Sequence, residues 1–159
     1  EARDIGLAVQ GDTRVLAEEL AVLLGGRSVV LDGERGIVRV VLPGGGGDEG
    51  VDISPMPNGI LDHLSKQDFT LDATAVPVHD VLSGGALTSV IDPHHGVADL
   101  EAGVIRMVAR PALAGDPARL MRAPRLAAEL GFIIAGETAE EVRRQAHLVA
   151  TVAPERVRE

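Results

Sequence analysis

The run Asp4-Ile5-Gly6-Leu7-Ala8-Val9 alternates as a strand does and presents one carboxylate. Residues two apart on a strand share a face, so an acid at position 6 would stand beside Asp4 and the pair could hold a metal ion. A glycine stands there instead. Further along, Arg119, Arg122 and Arg125 recur every third residue, which on a helix spreads three guanidinium groups over about a third of the circumference, beside Leu120, Leu126 and Leu130. They could line an anion-binding cleft or form a solvated face. Asp116-Pro117, just ahead of them, is the pair a helix start needs, with Asp as N-cap and Pro at the first helical position.

The elements that position these groups follow from the periodicity. After the first strand, Asp12 is a candidate N-cap for an amphipathic helix carrying Val15, Leu16, Ala17, Leu20, Leu23 and Leu24, stopped by Gly25-Gly26. The runs 27–31 and 36–42 flank Asp32-Gly33-Glu34-Arg35 and predict a hairpin. Residues 43–50 read as a flexible loop and 51–53 as a short strand. A short helical turn at 60–64, an apolar strand over 73–78 ending near Pro77, a turn-strand-turn in GGALTSVIDPHHG, a short helix in VADLEAG and a strand over 104–108 follow. Helical rhythm then takes over at 116–131 and 137–150, and Pro154-Glu155 opens a third helical segment. The chain reads as a fragment cut within elements at both ends.

Composition narrows the function classes. The core must be aliphatic, because Phe69 and Phe132 are the only aromatic residues, and stacking platforms for nucleic-acid bases are essentially absent. With no cysteine there are no disulfides or thiolate metal sites, which fits a reducing compartment, and the cytoplasm is the expected location. No apolar run approaches the roughly 20 residues of a membrane helix. The net charge of −9 lies entirely in residues 1–110, which hold 17 acids and 8 bases, so a broad phosphate-binding surface is not expected there.

Longer stretches carry a family resemblance. ARDIGLAVQGDTRVLAEELAVLLGG is similar to DIDLAVEGDA…A…L…GG of the bacterial tRNA nucleotidyltransferase (CCA-adding enzyme) and poly(A) polymerase family, class II type. LDGERGIVRVVL and VDIS follow in that family's order, and ILDHLSKQDFTLDATAV resembles IEEDLRRRDFTINALAV. VIDPHHGVADLEAGVIRMV resembles IDPxGGxxDLxxGxIRxV, GDPARLMRAPRLAAELGF resembles EDPLRxLRAxRFAxxLGF, and APERVRE resembles SxERIxxEL. The resemblance implies an α+β fold, a nucleotidyltransferase-like mixed β-sheet with flanking helices over residues 1–110, followed by the start of a helical neck over 111–159. It implies magnesium-dependent transfer of a nucleotide from ATP or CTP to an RNA 3′ end, that of tRNA, with the RNA gripped by regions beyond Glu159.

Carried over residue by residue, Asp4 matches the first acid of the metal strand and Gly6 stands at the second, while Asp52 is the neighbouring-strand acid. Asp4 and Asp52 are therefore the expected metal ligands and catalytic acids. A two-ion clamp without a shared bridging carboxylate is hard to build, so catalysis and magnesium binding are expected to be impaired. Asp68 matches the acid of the second motif, as a site residue or as a local cap or salt-bridge partner. Gln67 replaces an arginine and Asp72 an asparagine, and both changes turn the local field against a polyanion. Asp116 and Arg119 match the residues that read the incoming base, an acid accepting from an amino group and a guanidinium donating, beside the helix-cap role. Arg122 and Arg125 fall in the same nucleotide-binding set, although Pro124 between them is expected to kink the helix. The alternative function is a degenerate, non-catalytic nucleotide- or RNA-binding or regulatory module.

Three other signals point less far. The glycines at 44–47 lack the Lys-Ser/Thr and helix of a phosphate-binding loop. His79-Asp80 resembles the metal pair of HD-type phosphohydrolases without a second such pair, and His94-His95 after Asp92 lack a third converging ligand. The family's glycine-rich GGxVRD segment has no counterpart in the chain.

Overall fold

A computed structural model describes residues 4–44, 49–84 and 89–152, with Asp4 described in its backbone alone. The chain forms two compact units, Glu1–His63 and Leu64–Glu159.

The first unit is a four-stranded mixed sheet in the order β1-β4-β3-β2, built from β1 (Asp4–Val9), β2 (Arg27–Asp32), β3 (Ile37–Val41) and β4 (Gly50–Pro55). β1 runs parallel to β4, and the other neighbours are antiparallel. Helix α1 (Thr13–Leu24) joins β1 to β2 and covers one face. The Asp12 carboxylate accepts from the Arg14 and Val15 N–H groups, which satisfies donors the first turn leaves open, and Gly25 closes the helix at φ 66°. Alternation then sorts the sheet. Val38, Val40, Val51 and Ile53 meet Ala17 and Ala21 of α1 in an aliphatic core joined by Leu7 and Val9. The intervening positions, Gly6, Arg39 and Asp52, fall on the opposite face. The expected hairpin is present, and the Asp32 carboxylate accepts from the Glu34 and Arg35 N–H groups to close its turn.

The second unit is mostly helical. After α2 (Ile60–Ser65), which crosses the boundary between the units, come α3 (Val78–Leu82), α4 (Gly96–Ala102), α5 (Arg110–Ala114), α6 (Arg119–Leu130) and α7 (Gly136–Gln145), with short 3₁₀ turns at Thr70–Asp72 and Ala146–Thr151. Two short parallel strands, β5 (Val104–Ile105) and β6 (Ile133–Ile134), pair with each other. Phe69, Ile105, Met107, Leu113, Leu120 and Ala123 form the core.

Several local expectations are corrected. Residues 73–78 are not a strand: a single bridge joins Ala75 to Ile91, and Pro77, whose fixed φ suits a helix start, precedes α3. The strand over 104–108 stops at Ile105, because the Arg106 carbonyl turns to accept from Thr70 and the Val108 N–H donates to the Asp68 carbonyl. α6 begins at Arg119 rather than near 116, since Asp116 and Pro117 first close a tighter turn through the Arg119 and Leu120 N–H groups. α6 also runs through Pro124 as one helix. The donor that Pro124 lacks would serve only the Leu120 carbonyl in the first turn, and the Pro124 ring is on the exposed side. The third helical segment and most of the 43–50 loop lie outside the described residues, as does much of GGALTSV. Among the described residues, no helix is long and apolar enough to cross a membrane.

Candidate functional site

In the first unit the open face of the sheet holds the positions expected to bind metal. Gly6 pairs with Asp52 across the β1/β4 ladder, and Asp4 lies two residues earlier, opposite Gly50. A Cβ built at Gly6 meets no heavy atom within 4 Å. No packing demand therefore explains the glycine, and an acidic side chain would fit. Asp52 is engaged by its antiparallel neighbour Arg39, whose Nε donates to Oδ1 at 2.6 Å and whose Nη2 donates to Oδ2 at 2.8 Å. This bidentate pair spends both carboxylate oxygens on a fixed cation. Among the described side chains of this face the donors for a two-ion centre are incomplete, because position 6 supplies no oxygen and Asp52 is already charge-compensated.

Arg39 was not among the residues the sequence singled out. The alternation in Ile37-Val38-Arg39-Val40-Val41 marks it as the one cation on its strand, but matching it to Asp52 requires the strand register.

The second unit gathers the remaining candidates around α6. Asp68 is fully buried, accepts from the Phe69 N–H at 3.2 Å, and is ion-paired with Nη1 of Arg122. Nη2 of the same guanidinium reaches Asp72 at 3.1 Å, so one arginine joins two acids from the segment before it. Burial pushes the Asp72 carboxyl above its ordinary value, the Arg122 charge pulls it down, and the Asp68 charge raises it again. The cluster thus sets two carboxyl groups against one guanidinium. Arg119 donates through Nη1 to the carbonyls of Lys66 at 3.0 Å and Ala112 at 2.9 Å, pinning α5 and the α2 end to the start of α6. Asp116 is buried and its Oδ1 accepts from the Ala118 N–H in the turn ahead of α6; the expected N-cap role is corrected, because Ala118 is the residue at the helix start and no side chain caps it. Arg125 makes a long contact of 3.9 Å with Glu129 one turn further along α6 and joins neither acid. Asp4 and Asp52 are thus in one unit, and Asp68, Asp72, Asp116, Arg119, Arg122 and Arg125 are in the other.

A frame built around Asp99 supports this cluster from behind. Asp99 accepts from Thr70 Oγ1 at 2.8 Å and from Nε of Arg106 at 3.0 Å. Burial works against its ionisation, but these hydrogen bonds hold its carboxyl below the ordinary range. α4 packs so closely on the Thr70–Asp72 turn that a Cβ at Gly96 would overlap the Thr70 carbonyl. The Asp92 carboxylate accepts from Gly96 N–H at 2.7 Å and Val97 N–H at 3.0 Å, which occupies both oxygens in the turn carrying His94 and His95. His79 contacts Asp80 at 2.9 Å on the exposed surface of α3. Among the described residues, no three His, Cys, Asp or Glu side chains converge as a metal site.

No protein-family model matches the chain. Among curated proteins it is 40% identical over 159 residues to the CC-adding tRNA nucleotidyltransferase of Geobacter sulfurreducens, covering 99% of this chain and 35% of that protein. It is 37% identical over 130 residues to the A-adding tRNA nucleotidyltransferase of Deinococcus radiodurans, covering 82% of this chain and 27% of that protein. The chain therefore spans about a third or less of the length of these relatives. Among solved structures, the Thermotoga maritima CCA-adding enzyme complexed with tRNA matches 99% of this chain and 37% of its own at 25% identity and a TM-score of 0.75. A CCA-adding enzyme complexed with ATP matches the same share of the chain with a TM-score of 0.76. The shared architecture is the mixed four-stranded sheet with flanking helices. By sequence and by fold, the chain belongs to the CCA-adding tRNA nucleotidyltransferase family and corresponds to its head region.

Proposed function

We propose that this chain is the nucleotide-binding part of a tRNA nucleotidyltransferase, with residues 1–110 as the head and 111–159 as the start of the neck, and that its transfer chemistry is impaired. In the family the reaction moves a nucleotide from ATP or CTP to the 3′ end of tRNA with magnesium. One observation carries the reading of impairment: Gly6 stands opposite Asp52, and Asp52 is held bidentately by Arg39. The sheet face then offers too few uncommitted carboxylate oxygens to bridge two ions.

Nucleotide recognition falls to the second unit in this reading. Arg122 would meet a phosphate or ribose oxygen only by sharing its donors with Asp68 and Asp72, so the cluster binds a polyanion less tightly than it would with asparagine in place of Asp72. Base reading by Asp116 and Arg119 requires both side chains to leave the backbone groups they now satisfy. These costs favour the second reading, a non-catalytic nucleotide- or RNA-binding module, wherever nucleotide binds without turnover.

The test incubates the full-length protein with radiolabelled ATP or CTP, magnesium and tRNA lacking its 3′ terminus, with nucleotide binding measured in parallel. Slow or absent extension with measurable nucleotide binding is the expected result. Extension at the rate of active relatives would overturn the proposed impairment, and absence of nucleotide binding would overturn the proposed binding role.

A further inference from the structure

Strand β2 is the outer strand of the first unit's sheet, paired with β3 on one side and with no strand on the other among the described residues. Such an edge offers a row of N–H and C=O groups to any further strand, and proteins often blunt it with lysine or proline. β2, Arg27-Ser28-Val29-Val30-Leu31-Asp32, carries neither, and Val30 and Leu31 are half exposed. Its one irregularity is a bulge at Leu31.

We propose that β2 pairs antiparallel with β2 of a second copy of this chain, about a two-fold axis at Val29. The register follows from face matching, because residues opposite one another on neighbouring strands point the same way. Pairing with β3 puts Arg27 and Val29 on one face, opposite Val41 and Arg39, and Ser28 and Val30 on the other, opposite Val40 and Val38. The bulge returns Asp32, opposite Ile37, to the face of Arg27. With Val29 opposite Val29 of the second copy, Ser28 meets Val30, and with Leu31 set aside in both copies Arg27 meets Asp32. Every pair is then face-matched, and a cation meets an acid at both ends of the ladder.

The two charged residues are available for this. Arg27 is exposed and forms no ion pair among the described residues. Asp32 uses Oδ1 to close its turn, while its Oδ2 has only Arg35 Nε, at 3.7 Å, so the carboxylate retains acceptor capacity. Apolar surface adds to the charge pairing. α1 packs on the Val30 face, and its end leaves Val22 and Leu23 more than four-fifths exposed. The two-fold axis puts both α1 helices on one side of the joined sheet, where these side chains share a surface.

Sedimentation velocity of the full chain over a range of concentrations tests the proposal. The expected result is a reversible dimer with a Kd on the order of 100 µM or tighter. Arg27→Asp sets acid against acid twice and weakens association by about tenfold or more, with the far-UV circular dichroism spectrum unchanged. The chain has no cysteine, so Val29→Cys reports the register directly. Opposed residues of an antiparallel pair lie about 4.5–5.5 Å apart at Cα, within disulfide reach, whereas the two Val30 residues, offset by two positions, would lie about 8 Å apart, beyond the reach of about 7 Å. Mild oxidation should therefore cross-link Val29→Cys and not Val30→Cys. A monomer at all concentrations, undiminished association of Arg27→Asp, or equal cross-linking of the two cysteine variants would each overturn the proposal.

Discussion

Replacing Gly6 by aspartate returns an acid to the one position where the metal strand lacks it. The backbone accepts the change: a Cβ at Gly6 has no neighbour within 4 Å, and Gly6 is not among the left-handed glycines. Removing a strand-interior glycine stabilises by about 0.5–1 kcal/mol. Against this stands repulsion from Asp52, the residue opposite, across an interstrand spacing of about 5 Å. At a surface dielectric between those of water and a protein boundary, that repulsion is about 1–2 kcal/mol, and Arg39 on Asp52 reduces it to about 1 kcal/mol. Without divalent ions the variant should therefore be within about 1 kcal/mol of the parent. Magnesium breaks the balance, because the added carboxylate gives the ion an uncommitted oxygen ligand. A site with a Kd on the order of 1 mM at about 10 mM magnesium stabilises by about 1.4 kcal/mol, or about 3–5 °C in Tm for a chain of this size. The assay is thermal unfolding followed by circular dichroism, with magnesium or with chelator at matched ionic strength. The parent should shift by less than about 1 °C and Gly6→Asp by the larger amount. An equal shift in the two proteins would refute the view that position 6 supplies the missing ligand, and a large shift in the parent would refute the donor-set argument itself.

Three further substitutions test the second unit. Gly96→Ala places a Cβ 2.7 Å from the Thr70 carbonyl carbon and 3.0 Å from Thr74 Cγ2. The carbonyl must move, carrying the Asp99–Thr70–Arg106 frame with it, so urea unfolding should show a loss of about 3 kcal/mol. His95 adopts a left-handed φ of 59° with no side-chain cap bond, so His95→Gly should raise stability by about 0.5–1 kcal/mol in the same experiment. Asp72→Asn removes a carboxyl whose pKa is raised by burial. A raised carboxyl favours the folded state below its unfolded pKa and loses that stabilisation as pH rises through the folded value. The variant should therefore gain stability over the parent at neutral pH and lose that advantage at acid pH below the ordinary aspartate range, as read from Tm across a pH series. It should also bind ATP or CTP more tightly, by a few-fold to about tenfold, in calorimetry.

Much of the architecture was legible because it is written in local chemistry. Asp12 and Gly25-Gly26 bound α1 through groups that act within a few residues, Asp32 closes the hairpin turn by the same means, and alternation separates core from open face along each strand. The lone acid Asp4 with a glycine two residues on, and the arginine row of α6, could be named from residue type and spacing, while Asp52 and the metal role of Asp4 were implied by the family resemblance. The tertiary structure decided the partners. Arg39 meets Asp52 only through the register of two antiparallel strands. Arg122 joins Asp68 and Asp72 across separations of 54 and 50 residues along the chain. The run over 73–78 has strand-like composition yet, among the described residues, gains a single bridge, from Ala75 to Ile91. Turns, caps and periodicity are local interactions that the residues carry with them. Charge compensation and close backbone approach, as at Gly96, depend on distances that exist only after the chain has folded.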